Sequence, residues 1–285
     1  MSDLSSGTSR TLSAAASGLL GVLHEYLRRF TAAADGYDGS TSRAAILETA
    51  MAGYSELVTD ERNIAPFAEL ERDRAAETAE LVTALRARSA RCAAVSEKYR
   101  ALRLLEGRTG TGGYFDNVES CIEEEFGAVS PAGTSRVLLV GSGSFPMTLL
   151  NVAARTGAVA AGVDIDAEAV DLGRRVVRLL GGSYDITLDS RPVGELPFTR
   201  TATHIVFSST VAAKYDLLHR LHAGTRDDVV VAMRFGDGLK SLFNYPMQDV
   251  DPARWRLLET VRRPDQVFDV AVYVKHDAGS EAGDA

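Results

Sequence analysis

The chain is poor in the residues that mark several common classes of protein. Its 285 residues include only two cysteines, one tryptophan and five histidines, and the net charge is −8. The two cysteines, Cys92 and Cys121, lie in different segments, which argues against a disulfide scaffold and favours a reducing, cytoplasmic setting. An acidic chain without clustered Lys and Arg lacks the means to neutralise phosphates, so we expect no nucleic-acid partner.

Long apolar runs and metal-ligand patterns are also missing. The apolar run near the N-terminus, 14–23, is interrupted by Ser17, Gly18 and Gly21, which argues against a signal peptide or a membrane span. The sequence contains no P-loop, no nucleophile elbow and no histidine spacing typical of a metal site. We therefore expect a small-molecule substrate, no metal and no membrane partner.

The apolar pattern divides the chain into a helical part and an alternating part. Leu19, Leu23 and Leu27 recur at helical spacing, and a further helix is predicted from Glu71 to Leu105. Polar, small residues at both ends of the chain predict disorder. The predicted divisions are a disordered N-terminus over 1–12, a helical cap domain over 13–130, a Rossmann-like ligand-binding domain over 131–276 and a disordered tail over 277–285.

Apolar strands alternate with helices in the second part. The predicted strands are Arg136–Val140, Val159–Asp164, Tyr184–Leu188, His204–Ser208, Val229–Arg234 and Val267–Lys275. The predicted helices are Met147–Arg155, Ala167–Leu180, Ala212–Leu221 and Asp237–Leu242. This alternation predicts an α/β fold with a parallel sheet covered on both faces. The last strand has no helix after it, so we expect it to close the sheet in the antiparallel direction, as in class I methyltransferase-like domains.

A glycine turn between the first predicted strand and helix is the most informative motif. Gly141-Ser142-Gly143 follows a buried strand. Pro146 suits the first turn of a helix, because backbone N–H groups in that turn make no hydrogen bond within the helix and proline has none. The next strand ends at Asp164. Such a turn lets the backbone approach a nucleoside-bearing ligand. The carboxylate of Asp164 is then expected to accept hydrogen bonds from the ribose hydroxyls of that ligand. Because the third glycine of a dinucleotide fingerprint is missing, we favour S-adenosylmethionine over NAD.

Other candidates lie at the carboxyl ends of the strands, where ligands bind in such sheets. We expect Asp189 either to meet the adenine amino group or to be a surface acid. Arg234 is expected either to clamp a carboxylate, with Lys214 as an alternative, or to pair with Asp237. The remaining candidates are Ile165 and Ser190 on the nucleoside, Ser208 and Ser209 at the mouth, Asp166 as a helix cap, and Tyr245 as a pocket wall. The alternative for the segment after the fourth strand is helix capping by Ser209 or Thr210.

An aromatic–amide cluster, Tyr114-Phe115-Asp-Asn117, follows the glycine-rich segment 107–113. Aromatic faces stabilise a sulfonium cation, and the Asn side chain suits an amino-acid head group. A core aromatic pair with an Asn turn is the alternative.

Together these segments resemble the nicotianamine synthase family, including the bacterial synthases of opine-type metallophores. The matching segments are 114–117, 140–148, 163–169, 207–214 and 233–246. The resemblance implies a helical cap over a methyltransferase-like domain. It also implies that S-adenosylmethionine donates its 3-amino-3-carboxypropyl group and leaves as methylthioadenosine.

Two positions depart from the family pattern. The family carries a further Tyr where this chain has Val118, and its acceptor-handling Glu falls near Cys92 by ungapped spacing, with Glu97 as the nearest acid. We predict transfer to an amine of an amino acid-like acceptor. The alternatives are cyclisation of the donor to azetidine-2-carboxylate, methyl transfer, and nucleoside sensing without catalysis; a homodimer is an open alternative for the assembly.

Overall fold

The structure, a computed structural model, describes residues 11–108 and 129–276. The first range contains four helices, which are α1 Ala14–Asp35, α2 Ala44–Thr59, α3 Ile64–Asp73 and α4 Ala75–Leu105. The second range contains strands with helices between them. The strands are β1 Arg136–Val140, β2 Val159–Val163, β3 Ile186–Asp189, β4 His204–Phe207, β5 Val230–Phe235, β6 Trp255–Val261 and β7 Asp269–Lys275. The helices are α5 Met147–Thr156, α6 Ala167–Leu180 and α7 Lys214–Leu221.

The strands form one seven-stranded sheet in the order β3-β2-β1-β4-β5-β7-β6. The five strands from β1 to β5 pair in parallel, whereas β7 is antiparallel to both β5 and β6. The predicted α/β fold with a closing antiparallel strand is confirmed. Strand β6 was missed because Leu257 and Leu258 are adjacent and both exposed, and a bulge between Leu257 and Glu259 interrupts the two-residue alternation.

Three helix boundaries differ from those predicted. The expected helix from Glu71 is broken at Arg74, whose φ of −137° is not helical, and Thr78 Oγ1 donates to Leu70 O at 3.0 Å across the break. Helix α7 begins at Lys214, two residues after the predicted start at Ala212. The expected helix before Tyr245 is a 3-10 turn, Gly238–Leu242. No helix in the described ranges has both the length and the apolarity needed to cross a membrane.

Alternate residues of the central strands face opposite sides of the sheet. Leu139, Val206 and Ala232 are neighbours in register and share one hydrophobic cluster with buried residues of α1 to α6. Phe207 and Met233 face the other side, in a cluster that α7 covers. Because buried residues of α1 to α4 belong to the same hydrophobic cluster as those of the sheet, the helical segment and the sheet have a continuous core.

Lys98 anchors α4 to the start of α6. Its ammonium group is almost completely buried, with Nζ 2.7 Å from Asp166 Oδ2 and 2.5 Å from Glu168 Oε2. Glu168 also accepts from the Tyr37 hydroxyl at 2.7 Å. As expected, Asp166 caps α6, because its carboxylate accepts from the amides of Glu168 and Ala169. The ion pair thereby holds the C-terminal half of α4 against the residues that follow β2.

We predict that Lys98→Met lowers the free energy of unfolding by about 1–3 kcal/mol, because the half-buried Asp166 and the exposed Glu168 lose their shared buried cation. Urea denaturation at pH 7 measures this loss. Arg91→Met is the matched control, since Arg91 is an exposed cation of the same helix and its removal is expected to change stability by less than about 0.5 kcal/mol. Equal effects of the two substitutions would show that Lys98 contributes no special stability.

Candidate active site

A large cavity lies at the carboxyl ends of the parallel strands, between the sheet edge and α4. Its volume is about 860 Å³, within the range of small-molecule sites. The turn after β1 lines one side, and α4 lines the opposite side with residues between Ala90 and Arg100. This is the edge of a parallel sheet at which ligands are expected to bind.

The glycine turn requires glycine at both positions. Gly141 and Gly143 have φ values of +82° and +61°, in the left-handed region that side chains disfavour. A Cβ atom on Gly141 would lie 2.6 Å from Val211 Cγ2, and one on Gly143 would collide with the Glu97 carboxylate. The amides of Gly141 and Ser142 both donate to Val163 O, at 2.9 and 3.1 Å. The turn is therefore held to β2 and exposes its backbone to the cavity.

Asp164 lines the cavity directly after β2. Its Oδ2 accepts from the Gly143 amide at 2.9 Å, and its Oδ1 accepts from the Asp166 amide at 3.0 Å. A carboxylate offers about four acceptor positions, so the two oxygens retain capacity for further donors. The next side chain, Ile165, also lines the cavity and is 98% exposed, which leaves an apolar surface beside the carboxylate.

Glu97 reaches the same turn from α4. Its Oε2 accepts from the Ser144 amide at 3.2 Å, and it lines the cavity. Burial, followed by the nearby negative charge of Asp164, raises the pKa of Glu97 to about 8. Cys92 is fully buried instead, and its Sγ donates to Phe30 O at 3.4 Å. The ungapped spacing that pointed to Cys92 is therefore wrong, and Glu97 is the acid of α4 that lines the cavity.

Arg234 is the next-to-last residue of β5, and its buried side chain lines the cavity. Its Nη2 donates to Thr148 Oγ1 at 2.8 Å, and its guanidinium carbon lies 5.0 Å from the centre of the Phe268 ring. Asp237, the alternative partner, accepts from the Met247 amide at 3.0 Å and pairs with Arg262 at 3.6 Å. Arg234 is thus placed where a carboxylate in the cavity can reach it.

Lys214 has a structural role instead of the expected contact with a carboxylate. Its buried Nζ donates to the carbonyl oxygens of Ser209, Arg234 and Tyr245, at 3.4, 2.6 and 3.0 Å. Burial, followed by the positive charge of Arg86, lowers the pKa of Lys214 to about 7. An ammonium group has three donors, and all three are used within the protein. The expectation that Lys214 meets a ligand carboxylate is therefore wrong.

Among the described residues, Tyr245 is not one of those that line the cavity. The centre of its ring is 5.3 Å from the guanidinium carbon of Arg86 on α4. Its amide donates to Ser209 O at 3.1 Å, so its backbone supports the segment after β4. The structure does not place its ring as the pocket wall that was expected.

Asp189 at the end of β3 is held by Arg191. The two side chains pair at 2.6 Å, and the hydrogen bonds from Arg191 lower the pKa of Asp189 to about 2. This geometry matches the surface-acid alternative, whereas Ser190 and Arg191 themselves line the cavity.

The serines after β4 also line the cavity. Ser208 Oγ lies 3.3 Å from Thr210 Oγ1, and Ser209 is buried. Helix α7 begins at Lys214 without a side-chain cap, so the helix-cap alternative for Ser209 is wrong. The buried Ser142 and Pro146 complete the predicted lining residues.

Several lining residues were not predicted. The cavity is also lined by Arg100, Phe145, Thr148 and Phe268. Of these, Arg100 could have been found from the sequence, because it lies one helical turn after Glu97. The predicted cluster of Tyr114, Phe115 and Asn117, together with Val118, lies outside the described residues. Within the described ranges, no three His, Cys, Asp or Glu side chains are grouped to hold a metal ion.

Comparison with characterised proteins identifies relatives. An L-histidine 2-aminobutanoyltransferase of Pseudomonas aeruginosa is 33% identical over 180 residues, which are 63% of this chain and 68% of that protein. The protein of the same name from Yersinia pestis is 32% identical over 161 residues, or 56% of this chain and 60% of that protein. No family model matches the chain.

Solved structures show the same fold over nearly the whole chain. A single-substitution mutant of MtNAS, a nicotianamine synthase, aligns with a TM-score of 0.71 and 14% identity, covering 91% of this chain and 98% of that chain. MtNAS in complex with MTA and tNA aligns with a TM-score of 0.68 and covers the same shares at 14% identity. At this identity the likeness supports the fold alone, which is the methyltransferase-like fold that the sequence predicted. The Pseudomonas aeruginosa relative, 68% of whose length is covered at 33% identity, shows that the chain belongs to the family of the L-histidine 2-aminobutanoyltransferases.

Proposed function

We propose that this protein transfers the 3-amino-3-carboxypropyl group of S-adenosylmethionine to an amine of a small amino-acid acceptor. The observation that carries the proposal is the convergence of a glycine turn and two carboxylates, Asp164 and Glu97, in one cavity. The named activity of the relatives supports the same transfer chemistry. A further MtNAS mutant structure, with a TM-score of 0.67, contains bound S-adenosylmethionine.

The residues at the turn fit the donor's nucleoside. Asp164 is held by two amides and has acceptor capacity for both ribose hydroxyls. Ile165 offers an exposed apolar surface that suits one face of an adenine ring. Gly143 lets the Glu97 carboxylate approach the turn, because a Cβ atom at this position would collide with it. We assign the rest of the donor site to Gly141, Ser142, Pro146, Ser190, Ser208 and Ser209, with Arg234 for the donor carboxylate.

Glu97 is the proposed general base. The donor supplies an electrophilic γ-carbon beside its sulfonium, where N–C bond formation breaks the C–S bond and releases methylthioadenosine. The attacking amine loses one proton, and the Glu97 carboxylate accepts it. A base with a pKa near the working pH is efficient in this role, and the pKa of about 8 meets that condition. Tyr114, Phe115 and Asn117 are retained as proposed neighbours of the reacting chain.

The acceptor of the relatives is L-histidine, as their name states, and we propose an amino acid of this kind for this chain. Cyclisation of the donor is not favoured, since it needs no acceptor-handling acid, whereas Glu97 lines the cavity. The division into a cap over 13–130 and a donor-binding domain over 131–276 remains our proposal.

The first prediction concerns the products. Purified enzyme incubated with S-adenosylmethionine and L-histidine is expected to form methylthioadenosine and an aminocarboxypropyl-histidine, detected by mass spectrometry. Omission of the acceptor is expected to stop product formation. Azetidine-2-carboxylate appearing in its absence would contradict transfer, and S-adenosylhomocysteine as the only nucleoside product would indicate methyl transfer.

The second prediction concerns donor binding. Asp164→Ala is expected to weaken S-adenosylmethionine binding by about 1–3 kcal/mol, because charge-assisted hydrogen bonds to the ribose are lost. Calorimetric titration measures the difference. Asp189→Ala is the comparison variant, and a small effect is expected because Arg191 already holds that carboxylate. Unchanged donor affinity in Asp164→Ala would remove this residue from the site.

The third prediction concerns pH. A general base acts only when deprotonated, so kcat/KM is expected to rise with pH through an inflection at about 8, in addition to the rise that deprotonation of the acceptor amine causes. Glu97→Gln is expected to lower kcat by about 10²–10⁴-fold and to remove this inflection, leaving the titration of the acceptor amine. If the inflection persists in Glu97→Gln, another group is the base.

A further inference from the structure

Arg100 lies one helical turn beyond Glu97 on the cavity side of α4. Its guanidinium carbon is 4.2 Å from the centre of the Phe145 ring. Phe145 directly follows Ser144, whose amide donates to Glu97. Helix α4 and the turn after β1 thus bring an acid and a guanidinium together at one end of the cavity.

This arrangement matches the two charged groups of an α-amino acid. Side chains three residues apart on a helix have Cβ atoms about 5–6 Å apart, and the amino and carboxylate groups of an α-amino acid share one carbon. A guanidinium donates two parallel hydrogen bonds to a carboxylate. Because the guanidinium of Arg100 already lies over the Phe145 ring, its side chain loses less conformational entropy when it binds a carboxylate.

The cavity also has separate guanidinium groups for two carboxylates. The proposed reaction brings together two amino-acid head groups, one from the donor and one from the acceptor. Two of the lining arginines rest on phenylalanine rings: Arg100 on Phe145, from α4, and Arg234 on Phe268, from β5. Since Glu97 is next to Arg100 on α4, the head group whose amine meets Glu97 presents its carboxylate to Arg100.

We propose that Arg100 determines acceptor specificity by binding the α-carboxylate of the acceptor, which selects free α-amino acids over amines that lack this group. The proposal rests on the proposed function, because it places the acceptor amine at Glu97. Arg100 acts on recognition of the acceptor and leaves the donor site unchanged.

L-Histidine and histamine are the probes, since they differ only in the carboxylate. Methylthioadenosine release gives KM for each acceptor, and calorimetry with methylthioadenosine present gives each Kd without turnover. Arg100→Met removes the charge, Arg100→Lys keeps it but loses the planar fork, and Arg91→Met removes an exposed charge from the same helix. Thermal unfolding of each variant checks that the fold is intact.

The wild-type enzyme is expected to prefer L-histidine over histamine by about 10- to 100-fold in KM and Kd. Arg100→Met is expected to abolish this preference and to leave the KM for S-adenosylmethionine unchanged. Arg100→Lys is expected to retain part of the preference. Arg91→Met is expected to retain all of it. Equal affinity of the wild-type enzyme for L-histidine and histamine would overturn the proposal. So would an Arg100→Met enzyme that still prefers L-histidine but binds S-adenosylmethionine more weakly. A clear preference in binding without any methylthioadenosine release would contradict the proposed transfer but keep the assignment of Arg100.

Discussion

The buried ion pair of Lys98 with Asp166 and Glu168 is the interaction on which the candidate site depends. It joins α4 to the start of α6, and Asp166 simultaneously caps that helix. Glu97 precedes Lys98 in the chain, so the same clamp holds the Glu97 carboxylate over the glycine turn. Apolar packing and hydrogen bonds such as Arg86 Nε to Ser241 O at 2.7 Å also position α4, but the buried charge with two partners fixes where α4 lies along the start of α6.

The turn concentrates negative charge. Asp164 and Glu97 accept from the consecutive amides of Gly143 and Ser144, and their mutual repulsion contributes to the raised pKa of Glu97. A cation in the cavity would relieve this repulsion, which suits a sulfonium donor and an amine acceptor. The repulsion between the two carboxylates therefore favours binding of positively charged ligands. It also raises the pKa of Glu97 to a value that suits a general base.

The sequence could predict those features that depend on local pattern. Most of the parallel strands were recognisable because they are apolar segments between predicted helices, whereas β6 lacks alternation and is mostly exposed. Asp164 was recognisable because a strand end next to a glycine turn has a fixed position in this fold. The direction of the Lys214 side chain could not be predicted, because three carbonyl oxygens from three separated segments hold it.

By itself, the sequence determined the order of strands and helices, the glycine turn and the adjacent acid, since these follow from burial periodicity and from backbone conformations that only glycine adopts readily. Only the tertiary structure decided which residue of α4 faces the cavity. On a long helix, each residue turns the side chain by about 100°, so Glu97 and Cys92 point to different sides. The packing of α4 and the Lys98 ion pair, rather than spacing along the chain, bring Glu97 to the turn.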